Sequence, residues 1–220
     1  MKVGVVLLMA GKGSRFGSDK TRVLVNKRPV WRYSYDVFAS MGEISDIVIV
    51  SSNPVSLPCK RRLGTRIVKG GEYRQESVFN GLSALTKAGV DFALIHDAAR
   101  PVITPELVKR IVSCARRHKA CVPVIEVAST VKQVSGNRVV KTLDRDSLRL
   151  IQTPQCFDFR PLLSAYKKAL KSNRIFSDDA AIWERYVGDV YVTKGLRGNI
   201  KITYPEDIIC IRPMLNKIRR

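Results

Sequence analysis

Val3-Gly4-Val5-Val6-Leu7-Leu8, running into Met9-Ala10-Gly11-Lys12-Gly13-Ser14-Arg15-Phe16-Gly17, is the stretch from which the fold is read. An unbroken apolar hexamer rich in valine is the pattern of a strand buried on both faces, which is the situation of a parallel strand covered by helices. The run carries one charge before it, is too short to span a bilayer, and leads into glycines rather than a cleavage site. Glycines at that point let the chain turn tightly and bring N–H groups close to a phosphate, while Lys12 and Arg15 can balance a triphosphate's charge. No Gly-Lys-Ser/Thr closes the loop as in a Walker motif, and the third glycine of a dinucleotide fingerprint is missing.

Outward from this unit the same alternation repeats. Further β-branched runs lie at Ile47 to Ser51, Arg66 to Lys69, Phe92 to His96, Ala120 to Val124 and Asp189 to Thr193. Helical patterns separate them at Trp31 to Met41, Arg74 to Ala88, Pro105 to His118, Pro161 to Ser172 and Asp178 to Val187. The spacing predicts an α/β, Rossmann-like fold with a mainly parallel sheet and helices on both faces, in one domain over residues 1–220. Ligands of such sheets bind beyond the carboxyl ends of the strands. Residues 126–148 depart from the pattern: two alternating runs flank Ser135-Gly136-Asn137, the signature of an inserted β-hairpin arm. A protruding arm with apolar residues predicts a homodimer contact.

Three more motifs follow predicted strands. His96-Asp97-Ala98-Ala99-Arg100-Pro101 places a carboxylate where Mg²⁺ could be held against phosphates, with Arg100 as a planar fork for an anion. Gly70-Gly71-Glu72-Tyr73-Arg74-Gln75-Glu76-Ser77 is a glycine turn into a helix, able to offer backbone groups and the Ser77 hydroxyl to a base edge. Gly198-Asn199-Ile200-Lys201-Ile202-Thr203 reads as a short strand carrying a phosphate contact, Lys201, before a helix start at Pro205-Glu206-Asp207. Thr153-Pro154-Gln155 follows the arm.

In this order and spacing, from about Val3 to Asp207, these stretches resemble the 2-C-methyl-D-erythritol 4-phosphate cytidylyltransferases of the non-mevalonate isoprenoid pathway. The resemblance implies that Ala10, Gly11, Gly13 and Arg15 contact CTP, Arg15 stabilising the phosphates during attack, and that Gly71, Glu72 and Ser77 select cytosine. It implies that Asp97 organises Mg²⁺ and the sugar alcohol, that Arg100, Thr153 and Lys201 contact substrate or phosphate, and that Thr130 and Arg145 reach the acceptor across a dimer. The chain departs from the family where a Pro-Lys pair is expected: it has Thr21-Arg22, and the stretch to Pro29 is about two residues short. Arg22 keeps the charge but not the shape of lysine, and Lys20 and Lys27 are the other candidates for that role. A related transferase for ribitol 5-phosphate or another polyol phosphate shares most of these motifs.

Composition adds two bounds. Lys and Arg total 39 against 19 Asp and Glu, a formal charge of +20. Such a field attracts polyanions, so nucleic acid stands as an alternative partner, though no nucleic-acid motif is present and charged helix faces account for many of the basic residues. Five cysteines (Cys59, Cys114, Cys121, Cys156, Cys210) lack metal spacing, which predicts a reducing, cytoplasmic setting without structural zinc or disulfides, and no membrane segment is expected.

Overall fold

The structure is a computed structural model and describes residues 1–10, 16–53, 64–172 and 174–218. The chain runs β1 (Val3–Leu8), β2 (Leu24–Val25), β3 (Arg28–Pro29), α1 (Val30–Ser40), β4 (Ile44–Ser51), β5 (Thr65–Lys69), α2 (Arg74–Leu85) and β6 (Phe92–Asp97). It continues through α3 (Pro105–His118), β7 (Ala120–Glu126), β8 (Val131–Ser135), β9 (Arg138–Leu143), β10 (Arg149–Ile151) and β11 (Gln155–Asp158). It closes with α4 (Phe159–Lys171), α5 (Asp179–Tyr186), β12 (Tyr191–Lys194) and α6 (Asp207–Ile218).

Among the described residues an eight-stranded sheet forms the core. β1 lies between β4 and β6, parallel to both, and β5 extends the sheet in parallel beyond β4. All six residues of β1 are buried, as its unbroken apolar run requires. Val3, Val5 and Leu7 point to the face covered by α1 and α3, through Trp31, Tyr35, Phe38, Leu107 and Ile111. Val6 and Leu8 point to the other face, against Val78 and Leu82 of α2, Leu162 and Tyr166 of α4, and Trp183 of α5. The period-two alternation of the strand thus builds two cores.

Helix α2 packs onto the sheet with almost no gap. A Cβ on Gly81 would stand 2.4 Å from Val6 Cγ1 and 3.0 Å from Val50 Cγ2. A Gly81→Val substitution is therefore expected to cost about 1–3 kcal/mol through overpacking, read as a lowered midpoint in urea unfolding. α3 starts on a Thr104 cap, whose side chain accepts from Leu107 N at 3.3 Å, and Pro105 occupies the first turn.

The second half of the sheet is mixed. β11 is inserted between β6 and β7, antiparallel to both, and β10 continues that antiparallel pairing along β7. β12 pairs with β7 in parallel. The arm is the hairpin β8–β9, with Gly136 at φ 56° in its turn as the Ser-Gly-Asn signal predicts. Its valines 134, 139 and 140 are exposed. The expected strand around Lys201 is not present: residues 199–203 make no ladder, and the chain there is fixed by Ile202 N donating to Ala99 O at 2.9 Å. The helix start after it is present, with Asp207 Oδ2 accepting from Thr203 N and Tyr204 N.

The basic residues of α3 and α4, including Lys109, Arg110, Arg116, Lys167 and Lys168, lie on solvent-facing surfaces. Cys114, Cys121 and Cys156 are buried free thiols, and burial pushes those of Cys121 and Cys156 upward, away from reactivity. No helix among the described residues is long and apolar enough to cross a membrane.

Candidate active site

Four strand ends, of β1, β4, β5 and β6, are tied side by side at the carboxyl edge of the sheet. Met9 N donates to Val50 O at 2.8 Å, Ala98 N to Leu8 O at 2.9 Å and Gly70 N to Ser51 O at 3.0 Å. These bonds bring Ala10, the Gly70–Tyr73 turn and Asp97–Ala99 together. The result is a continuous cleft with two lobes that share Ala10, Asp19 and Arg74.

One lobe is the glycine turn. Gly70, Gly71, Glu72 and Ser77 line it with Ser52 and Lys69. Ser77 Oγ accepts from Gly71 N at 3.0 Å, and Glu76 Oε2 accepts from Glu72 N at 2.7 Å, so the turn is braced from the first turn of α2. A Cβ on Gly70 would sit 2.4 Å from the Ala10 Cβ, so the two motifs touch only because this residue is glycine.

The other lobe is centred on Asp97. Lys201 Nζ donates to Asp97 Oδ2 at 2.6 Å, and the Arg74 guanidinium stands 3.4 Å from Asp97 Oδ1. Burial opposes ionisation of this carboxyl, but Arg74, Lys201 and Arg100 together hold it well below the usual carboxylate range. Arg74 is itself gripped elsewhere: its Nη1 and Nη2 each donate at 2.8 Å to the two oxygens of Asp179, a side chain with no exposure, which also accepts from the Tyr166 hydroxyl.

Beneath Asp97 lies a neutral relay. Thr153 Oγ1 accepts from Asp97 N at 3.1 Å and lies 3.0 Å from His96 Nδ1, while His96 Nε2 is 3.1 Å from Arg100 O. A carbonyl only accepts, so His96 carries its proton on Nε2 and takes one hydrogen bond from Thr153. Burial drives the His96 pKa down to about 4. The unfolded chain binds a proton on this histidine near pH 6.5, the folded chain only near 4, so stability falls as pH drops through that window. The expected loss is about 3 kcal/mol in all. Urea titrations at pH 7, 6, 5 and 4.5 should show it, with a His96→Gln variant giving a flatter profile. Asp97 acts lower, its contribution being lost only below the ordinary carboxylate range.

Of the residues singled out in the sequence, Ala10, Gly71, Glu72, Ser77, Asp97 and Lys201 line the cleft. Thr153 supports Asp97 from below. Arg100 is mostly buried and donates to Asn199 O at 2.8 Å, so its guanidinium anchors the segment that carries Lys201. Gly11, Gly13 and Arg15 lie outside the described residues. Thr130 and Arg145 are exposed at the base of the arm, where Arg145 Nη1 donates to Ala128 O; Arg145 lines a separate hollow with Glu126, Arg149 and Arg197.

Arg22 Nε lies 3.1 Å from Asp19 Oδ2 and its Nη2 donates to Asn53 O at 3.1 Å, while the cleft wall at this point is Asp19, Lys20 and Thr21. Lys27, at φ 62°, is in the tight turn between β2 and β3. Arg74, Asp179 and Tyr166 were not legible as site residues. Arg74 stands inside a quoted motif, whereas Asp179 lies in the stretch read as a helix from Asp178 and has no local signal of its own.

A family model for 2-C-methyl-D-erythritol 4-phosphate cytidylyltransferase matches residues 3–217. The chain belongs to this family. A curated cytidylyltransferase of that name from Clostridium botulinum is 33% identical over 99% of both chains, and one from Dictyoglomus thermophilum 34% identical over 98% of this chain and 97% of its own. The crystal structure of 4-diphosphocytidyl-2C-methyl-D-erythritol synthase from Anaerococcus prevotii superposes with a TM-score of 0.86 at 30% identity, covering 98% of this chain and 96% of that one. The Thermus thermophilus cytidylyltransferase gives 0.82 at 29% identity, covering 98% and 100%. Membership makes the chain a nucleotidyltransferase.

Proposed function

We propose that the chain transfers CMP from CTP to 2-C-methyl-D-erythritol 4-phosphate, releasing pyrophosphate. The observation that carries this reading is the junction of the cleft's two lobes at Ala10 and Arg74, with a base-sized glycine turn on one side and the Asp97–Lys201 pair on the other. An acceptor phosphate oxygen attacks the α-phosphorus of CTP, the bond to the pyrophosphate oxygen breaks, and no covalent enzyme intermediate is required. The protein's work is to align the two substrates and to neutralise charge as the α-phosphorus becomes five-coordinate. Lys201 and the cations of the Gly11–Arg22 segment, Arg15 among them, supply that charge. Arg22 contributes if it leaves Asp19, and Lys20, which already lines the cleft, is our preferred equivalent of the family lysine.

Asp97 is the residue suited to hold Mg²⁺. One carboxylate at the cleft wall fits an ion that takes its remaining ligands from nucleotide phosphates and water, and no cluster of three His, Cys, Asp or Glu ligands occurs among the described residues. The ion would add positive charge at the phosphates. The exposed valines of the arm support a homodimer in which one protomer's Thr130 and Arg145 approach its partner's cleft; sedimentation of the intact chain against an arm carrying Val134→Lys and Val140→Lys tests it. A setting in the cytoplasm fits the free thiols.

The activity is tested by following pyrophosphate release with CTP, Mg²⁺ and methylerythritol phosphate, with UTP, ATP and ribitol 5-phosphate as parallel substrates and Asp97→Ala as the blank. Release that requires CTP, methylerythritol phosphate and Asp97 is the expected result. Turnover with ribitol 5-phosphate alone would replace the acceptor, and silence with every acceptor would overturn the reading.

A further inference from the structure

Asp179 lies outside the cleft wall, yet it makes the strongest contact available to the one arginine that both lobes share. It is the first residue of α5, and its place is fixed independently of Arg74. The neighbouring Asp178 caps the helix by accepting from Ala181 N at 3.0 Å, and Gln155 bridges the two elements by donating to Asp178 Oδ2 at 2.9 Å and accepting from Ala180 N at 3.1 Å. The carboxylate of Asp179, wholly buried, thus faces Arg74 from a rigid mount, with the Tyr166 hydroxyl taking a further lone pair.

Arg74 is pulled two ways. Its terminal nitrogens make paired 2.8 Å bonds to Asp179, the fork geometry in which guanidinium and carboxylate bind most strongly. What it offers Asp97 is a pair of 3.4 Å approaches to a single oxygen, at the outer limit of a hydrogen bond. Without Asp179, a half-buried guanidinium would lose its paired partner beside an ionised carboxylate, and the least costly remedy is to close on it. Asp97 would then be occupied on both oxygens, by Arg74 and by Lys201.

We propose that Asp179 is a positioning residue that withholds Arg74 from Asp97, keeping one oxygen of the Asp97 carboxylate open toward the cleft for acceptor or cation. The proposal rests on the functional reading above only for what that oxygen meets. Because Arg74 is also the first residue of the helix that braces the base-reading turn, Asp179 leaves that turn in place while setting the acceptor side. Its loss therefore separates the two lobes: nucleotide affinity is kept and acceptor-side chemistry is not.

The test is Asp179→Asn, which keeps the shape and the Tyr166 contact while removing the charge. A crystal structure of the variant should show Arg74 closed on Asp97 at under 3.0 Å, a readout that needs no activity and so does not depend on the proposed reaction. CTP affinity by calorimetry should change by less than about threefold, manganese binding to the CTP complex, read by electron paramagnetic resonance, should weaken at least fivefold, and kcat for pyrophosphate release should fall at least tenfold. In an Arg74→Gln background the same substitution should have no further effect on manganese binding. A folded variant with Arg74 still 3.4 Å from Asp97, or one that loses CTP affinity in step with kcat, would overturn the proposal. If Asp179→Asn does not fold, Tyr166→Phe carries the test: it frees one Asp179 lone pair, strengthens the hold on Arg74, and should leave manganese binding equal or tighter, whereas weakened binding with the fold retained would refute the assignment.

Discussion

A Lys201→Ala variant is expected to fold normally and to lose about 10²–10³ in kcat, the size of effect seen when one preorganised charge-stabilising donor is removed from an active site. Lys201 sits on a segment with no ladder of its own, fixed by the Ile202 bond to Ala99 and by Arg100 gripping Asn199 O, so truncating its side chain disturbs little of the core. What disappears is the ammonium 2.6 Å from Asp97 in that lobe of the cleft. Charge on the phosphates concentrates in the transition state rather than on binding, so the loss should fall on kcat, with KM for CTP nearly unchanged. Steady-state kinetics with both substrates varied separate the two; a loss confined to KM would make Lys201 a binding group only.

A paired comparison of Lys20→Ala and Arg22→Ala should give the second large difference, about 10²-fold or more in kcat for Lys20 and under tenfold for Arg22. The argument starts from Asp19. Thr21 donates to it twice, from N at 3.1 Å and from Oγ1 at 2.6 Å, which a proline in that place could not do. Asp19 also takes the Arg22 side chain, so residues 19–22 fold around this carboxylate, turning Arg22 toward Asn53 O while Lys20 lines the cleft. The reverse ranking of the two variants would mean that Arg22 leaves Asp19 when CTP binds and acts in the manner of the family lysine.

Legibility followed the range of the interaction. β1, α3 and the arm's turn were readable because an apolar run, a helical pattern opening on Pro105 and a Ser-Gly-Asn turn are local signals. β10 and β11 were not: the first is three exposed residues, the second four buried or half-buried ones, and each exists because β7 and β6 offer edges far away in the chain. α6 was readable at its start but not in its length, since Pro213 inside it imitates a stop. In the site, motif residues announced themselves, whereas Asp179 is 105 residues from Arg74 and carries no pattern. The segment about Lys201 shows the converse: Ile200-Lys201-Ile202-Thr203 has a strand's alternation, yet its backbone bonds to Ala99 singly and no neighbouring strand receives it.

The late insertion of β11 between β6 and β7 bears on how the chain is born. β1, β4, β5 and β6 pair among themselves and are complete once residue 97 has been made, but β6 then presents an open edge of buried apolar side chains. That edge is closed only after the arm and residues 155–158 have emerged, and at about 5–20 residues per second this leaves several seconds of synthesis during which it is bare. The nascent protein is therefore most at risk of aggregating partway through translation, before the arm is finished, and slow codons placed within the arm would lengthen that exposure.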